Sequence, residues 1–172
     1  GGSRGLAPLA PADRPAVIPL SFAQSRLWVI DQLEGPSPLY NMAIALRCTG
    51  HLDTAALGAA LADVVGRHES LRTTFPAAAG VARQVVVPAE RADFGWEVVD
   101  AAGWSTARLQ GSAEEEARSP FDLATEIPLR AKLFRITDSE HVLVAVVHHI
   151  AADGWSIGVL AADLAAAYAS RC

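Results

Sequence analysis

Residues 146–156 read VVHHIAADGWS and gather the side chains best suited to chemistry. Two adjacent imidazoles, His148 and His149, are followed four residues after the second by a carboxylate, Asp153, with Gly154 behind it. A neutral imidazole could take a proton from an amine or hydroxyl attacking a carbonyl, or hold that nucleophile in line. Asp153 could orient the imidazole directly, or pair with an arginine and brace the loop; the spacing leaves both open. Two histidines and a carboxylate also suggest a metal triad. Successive strand side chains point to opposite faces, however, so His148 and His149 cannot easily converge on one ion. HExxH and CxxC spacings are absent as well, and no metal is expected. By the same alternation only one histidine lines a given cleft. His149, at the very end of the strand, is the candidate for chemistry, and His148 the packing residue. No GxSxG elbow is present, so covalent catalysis finds little support.

The elements that must position these groups are legible around them. EHVLVAVV has the unbroken apolar, β-branched character of a strand buried on both faces. DGWS reads as a turn, with Gly154 supplying backbone freedom and Ser156 capping a helix over 157–169. Upstream, Ser21 and Gln24 have capping-box spacing before Leu27, Ile30 and Leu33, and Gly35 and Pro36 end that helix. Met42, Ile44, Leu46 and Cys48 alternate along a strand, with Cys48 expected in the core. Asp53 caps an amphipathic helix through Leu57, Leu61 and Val64. A short strand follows near residues 71–75, partnered by VARQVVV. WEVVD reads as a strand, WSTARLQGSAEEEARS as a polar helix, and IPLRAKLFRIT pairs with EHVLVAVVHH through a turn at Asp138 and Ser139. Helices mixed with hairpin-connected strands point to an α/β two-layer sandwich rather than a doubly wound sheet.

Composition narrows the function classes. The 172 residues are 51% hydrophobic and 19% charged, enough for one globular domain or a fragment of something larger. Lys and Arg number 14 against 19 Asp and Glu, a formal net charge of -5. That balance offers no footprint for nucleic acid or an anionic membrane. Apolar runs fall short of a membrane span and no signal-peptide pattern opens the chain, so a cytoplasmic protein is expected. With only Cys48 and Cys172, no disulfide framework or zinc spacing exists. Residues 1–16, rich in Gly, Pro and Ala, read as a linker or remnant, and the domain as 17–172.

HHIAADGWS matches the HHxxxDG signature of nonribosomal peptide synthetase condensation domains. SFAQSRLWVIDQL, residues 21–33, resembles that family's first conserved block, and RHESLRTTF, residues 67–75, its second. The resemblance implies one lobe of a fold similar to chloramphenicol acetyltransferase, two such lobes forming a V with the active site in a tunnel between them. Donor and acceptor peptidyl carrier proteins would present substrates on phosphopantetheine arms, with no cofactor bound directly by the domain. The acceptor amine attacks the donor thioester and an amide forms. By the family pattern His149 positions or deprotonates that amine, and His148 is mainly structural. Asp153 forms a structural ion pair with an arginine of the second block, Arg67 by first choice and Arg72 as the alternative. Gly154 lets the backbone approach the thioester end of the arm. HHIAADGWS with SFAQSRLW resembles the subtype that joins two L residues; the aspartate-rich motif of heterocyclization domains is absent.

A complete domain of this family is more than twice as long, and all of the match falls on the N-terminal lobe. The second lobe, its bridging loop and its latch are then missing partners, with Cys172 marking a cut after the lobe's last helix. The fragment alone is expected to fold and to have little or no condensation activity. Rival readings are a coenzyme A dependent acyltransferase, an epimerization domain lobe and a noncatalytic carrier-docking module. Blander roles are expected elsewhere: Trp28 in the core, Trp155 at the tunnel mouth or packed under the helix, and the run 114–116 on a solvated helix face. Only the family block raises Arg67 and Arg72 above ordinary surface arginines.

Overall fold

The computed structural model describes residues 13–172, so most of the expected linker over 1–16 lies outside the described residues. Within the described part, Arg14 donates to both carboxylate oxygens of Glu69, at 3.3 and 2.7 Å. Helix α1, Phe22–Glu34, begins as the capping box requires: the Gln24 N–H donates to Ser21 Oγ at 3.2 Å, and the Ser21 N–H to Gln24 Oε1 at 2.8 Å. Gly35, at φ 79°, ends it in a conformation that a side chain would oppose.

A short 3-10 turn, Pro38–Tyr40, leads into strand β1, Asn41–Thr49. Helix α2, Thr54–Arg67, is capped by Asp53 and buries Leu57, Leu61, Val64 and Val65. The strand expected over 71–75 is shorter: a 3-10 turn occupies Glu69–Arg72 and β2 only Thr73–Thr74. The Thr73 hydroxyl donates to the Glu69 carbonyl at 2.7 Å, which holds the chain coiled up to that point. After it come β3, Ala77–Ala78, β4, Val81–Ala82, and β5, Val85–Val86, the last antiparallel to β2. Strand β6, Glu97–Asp100, helix α3, Thr106–Arg118, strand β7, Leu129–Thr137, and strand β8, Glu140–His148, follow as the patterns predict. Helix α4, Gly154–Ala169, closes the chain.

The main sheet has the order β1-β8-β7-β6, with β8 antiparallel to both neighbours and β6 parallel to β7. β8 is thus central, and its alternating side chains enter two different cores. Leu143 and Val147 pack with Leu129, Ala131 and Leu133 of β7 against α2 and the Leu160, Leu164 and Tyr168 side of α4. Val144 and Val146 face the other way, onto Phe75, Phe121, Phe134, Leu109 of α3 and Leu27 and Trp28 of α1. Burial of each such aliphatic side chain contributes roughly 1.5–3 kcal/mol. This double coverage is why the run reads as continuously apolar, and it leaves the end of β8 mounted on a rigid slab.

Details differ from the patterns where packing decides. β1 is an edge strand with Leu46 exposed, and Cys48 is only partly buried rather than a core residue. Trp28 is half-buried at the margin of the second core. Trp155 is 90% exposed and packs under nothing. Of the acidic run, Glu114 and Glu115 are solvated, while Glu116 is partly buried and pairs with Lys132 of β7. Among the described residues no helix is long and apolar enough to cross a membrane.

Candidate active site at the end of the central strand

The motif occupies the end of β8 and the turn that follows. His148 is the last strand residue, 3% exposed, with its ring between Tyr40 and Phe121 at centroid distances of 6.3 and 6.1 Å, the Phe121 contact being edge-on. Its backbone N–H donates to the Pro128 carbonyl at 3.0 Å. The next residue but one turns back on it: the Ile150 N–H donates to His148 Nδ1 at 3.0 Å. An imidazole nitrogen that accepts carries no proton, so the neutral ring has its hydrogen on Nε2. Burial first, and the adjacent His149 second, lower the His148 pKa from 6.5 to about 4. His148 is therefore the neutral packing histidine the alternation predicts.

His149 has left the strand and is exposed. Its backbone N–H donates to the Tyr40 carbonyl at 2.8 Å, pinning the first residue of the turn to the chain just before β1. Its side chain lines a groove of about 350 Å³ with Tyr40 and with Ala23, Arg26 and Leu27 of α1. The SFAQSRLW stretch and His149, over a hundred residues apart in the chain, thus line one concavity together. A solvent-accessible imidazole on a fixed backbone beside such a groove can take a proton from a nucleophile bound there. Among the described residues no cluster of three or more His, Cys, Asp or Glu could hold a metal ion.

Asp153 does neither of the things the spacing left open. Its Oδ1 accepts from the Ser156 N–H at 2.9 Å and the Ser156 hydroxyl at 2.8 Å, and the Asp153 N–H donates to Ser156 Oγ. This is a capping box, so α4 starts at Gly154 with Asp153 as its cap, one turn earlier than the expected Ser156 cap. The Ser156 backbone bond, then its hydroxyl, hold the Asp153 carboxyl below its ordinary pKa. Neither arginine reaches it. Arg67 Nε lies 3.5 Å from Asp163 of α4, and Arg72 donates to the Val87 carbonyl at 2.7 Å. The second block meets α4 further along instead, where His68 Nε2 and Asp163 Oδ2 are 2.6 Å apart. The expected pair fails because a carboxylate just before a helix finds free N–H groups more cheaply than a distant guanidinium.

Asp153→Ala is accordingly expected to lower Tm by about 2–4 °C while Asp153→Asn, which retains a capping oxygen, changes it little. A thermal melt followed by circular dichroism distinguishes this from an ion pair, for which Asn and Ala would be equally harmful.

Gly154 has no positive φ, and a Cβ built there would meet nothing within 4 Å. The turn therefore does not need its conformational freedom, contrary to the reading from the sequence, and the space beside it is open. Residues that the sequence reading passed over are Tyr40, Phe121 and Arg130. Arg130 lies 3.9 Å over the Phe121 ring and donates to the Pro120 carbonyl, backing the wall that holds His148. Tyr40 sits four residues after the Gly35-Pro36 break and just before a strand start, where a lone aromatic is the available signal.

Comparison with known proteins places this geometry among relatives. The sequence profile of the family described as "Condensation domain" matches residues 15–171. The isonitrile lipopeptide synthase of Mycobacterium tuberculosis is 70% identical over 165 residues, which is 96% of this chain and 7% of that protein. The dimodular nonribosomal peptide synthase of Bacillus subtilis is 50% identical over 161 residues, 94% of this chain and again 7% of that protein. Among solved structures, the X-domain in its complex with OxyB from teicoplanin biosynthesis superposes with a TM-score of 0.87 at 39% identity, covering 99% of this chain and 36% of that one. The chain therefore spans about 7% of the length of these curated relatives and about a third of the solved domain.

Proposed function

Because the chain belongs to the condensation-domain family, we propose that it is the N-terminal lobe, residues 17–172, of a domain that joins a carrier-bound acyl or peptidyl thioester to a carrier-bound aminoacyl acceptor. The observation that carries this reading is the groove in which His149 faces α1. In it the acceptor amine adds to the thioester carbonyl, the tetrahedral adduct expels the pantetheine thiolate, and the amide remains on the acceptor carrier. His149 holds the attacking amine and takes the proton it sheds, which ends on the departing thiolate. His148, neutral and buried, fixes the strand end from which His149 projects. The open space at Gly154 admits the thioester end of the phosphopantetheine arm alongside the N-terminus of α4. The HHIAADGWS form with SFAQSRLW ahead of it favours a domain joining two L residues, with both carriers and the C-terminal lobe as partners.

The groove at His149 is open to solvent, so we expect the 172-residue chain alone to make no amide from loaded donor and acceptor carriers. The two-lobed parent domain should make it. Intact-mass detection of the extended acceptor in parallel reactions reads both, and product from the isolated chain would show that one lobe suffices. Gly154→Ala is a second check: a methyl group in open space at a helix start should leave stability unchanged or raise it by up to about 1 kcal/mol, while slowing transfer from the carrier-bound donor. Unchanged transfer by Gly154→Ala would remove the glycine from the path of the arm.

A docking role without catalysis has one observation in its favour, the 39% identical X-domain being found in a complex with OxyB. A parent domain that binds carriers and transfers nothing, with both substrates verified as loaded, would favour that role.

A further inference from the structure

Addition of an amine to a thioester passes through an anion. As nitrogen bonds to the carbonyl carbon, the π pair moves onto oxygen, and donors must meet that charge before the carbon–sulfur bond breaks. Backbone N–H groups beside the reacting side chain often serve, but here they are largely spent. The His149 N–H goes to the Tyr40 carbonyl, the Ala151 N–H to the His148 carbonyl and the Ile150 N–H to His148 Nδ1. At the start of α4 the capping box takes the Asp153 and Ser156 N–H groups. The Asp153 carboxylate that makes it would also repel a second anion at that helix end.

The groove at His149 offers a charged donor instead. Ala23, Arg26 and Leu27 stand at i, i+3 and i+4 on one face of α1, and they line the groove with Tyr40 and His149. No carboxylate lines it. Arg26 is exposed and makes no ion pair or hydrogen bond among the described residues. Arg67, Arg72 and Arg130 are by contrast committed, to Asp163, the Val87 carbonyl and the Pro120 carbonyl. An unneutralised guanidinium in a groove suits an anion. The phosphate of a phosphopantetheine arm is not that anion. An arm whose thioester lies at His149 carries its phosphate at the opposite end, beyond a groove of about 350 Å³.

We propose that Arg26 is a catalytic residue that binds the oxyanion of the tetrahedral adduct, a role that rests on the proposed function. Its N–H groups donate to the adduct oxygen and keep their protons. His149 takes the proton shed by the amine. The oxygen pair then re-forms the carbonyl, the carbon–sulfur bond breaks, and the thiolate leaves with that proton. The side chain from α1 thus carries the negative charge and the one from the end of β8 carries the proton.

In the parent domain, Arg26→Gln should lower kcat about 10²- to 10³-fold, as loss of an oxyanion donor does, with KM for each loaded carrier unchanged. Its melting temperature should not move, since the side chain has no partner to lose. Arg26→Lys, which keeps the charge but not the planar fork, should recover part of the rate. A kcat within about threefold of wild type, or a loss confined to KM, would overturn the proposal. A second measurement needs no turnover: methylphosphonate, a tetrahedral centre with anionic oxygens, is titrated into the ¹⁵N-labelled 172-residue chain. The Arg26 Nε–H and His149 ring resonances should shift along one saturating curve, and the His149 shift should vanish in Arg26→Gln. Absence of any saturable shift would overturn the proposal whether or not the parent makes amide. Absence of product from the wild-type parent with loaded carriers would instead count against the proposed function, and the titration would still decide whether Arg26 binds a tetrahedral anion in the groove.

Discussion

His149→Ala in the two-lobed parent domain is expected to lower amide formation by about 10²- to 10⁴-fold, the range over which a positioned acid or base acts. The loss should fall on kcat more than on KM, since a base acts on the attacking amine in the transition state. The same substitution should leave stability within about 0.5 kcal/mol, because the His149 side chain is exposed and makes no hydrogen bond among the described residues. Only its backbone N–H is structural, donating to Tyr40, and alanine retains that donor. Transfer is read by intact mass and stability by urea unfolding of the same preparation. Equal product from wild type and variant would demote His149 to a wall of the groove.

The neighbouring histidine should behave in the opposite way. With its pKa lowered to about 4 by burial and by His149, His148 stays neutral in the folded chain well below the pH at which it charges in the unfolded one, about 6.5. Between these values the unfolded state binds a proton that the native state refuses, so stability falls as pH drops from about 6.5 to 4. The full span is on the order of 3 kcal/mol. His148→Asn keeps an acceptor close to the Nδ1 position for the Ile150 N–H but cannot titrate. Urea unfolding at pH 7 and pH 4.5 should therefore show a loss in wild type that exceeds the loss in His148→Asn by about 2 kcal/mol. The variant should be less stable at pH 7, since a smaller side chain leaves space beside Phe121 and Tyr40. Parallel pH dependences in the two proteins would mean that His148 is not the titrating group.

These two residues show how far the sequence could be read. Their separation into one packed and one available histidine followed from strand alternation alone, since the apolar run before them had to end where the turn begins. Local signals of the same kind located the capping box at Ser21 and Gln24, the Asp53 cap, the hairpin at Asp138 and Ser139, and nearly every element. Each depends on residues within a few positions of one another, where backbone geometry permits few alternatives.

Asp153 marks the limit. The pattern supplied a carboxylate and two candidate arginines, and the pairing was decided by which partner lay closest in space. The helix start and Ser156 were within one turn, while Arg67 was drawn toward Asp163 and Arg72 toward the Val87 carbonyl. Cys48 failed for a related reason, since alternation names a face but does not say whether the strand lies at the edge of the sheet.

By itself, then, the sequence determined the α/β class, the order of elements, the family and which of the two motif histidines is packed and which is exposed, because these rest on periodicity and on contiguous motifs. Tertiary structure alone decided that α1 and Tyr40 wall the groove at His149 and that Asp153 caps rather than pairs. Each of those contacts joins residues whose distance is set by the closing of the sheet and the burial of its two faces, and competition among polar groups for the nearest partner settles which bonds form.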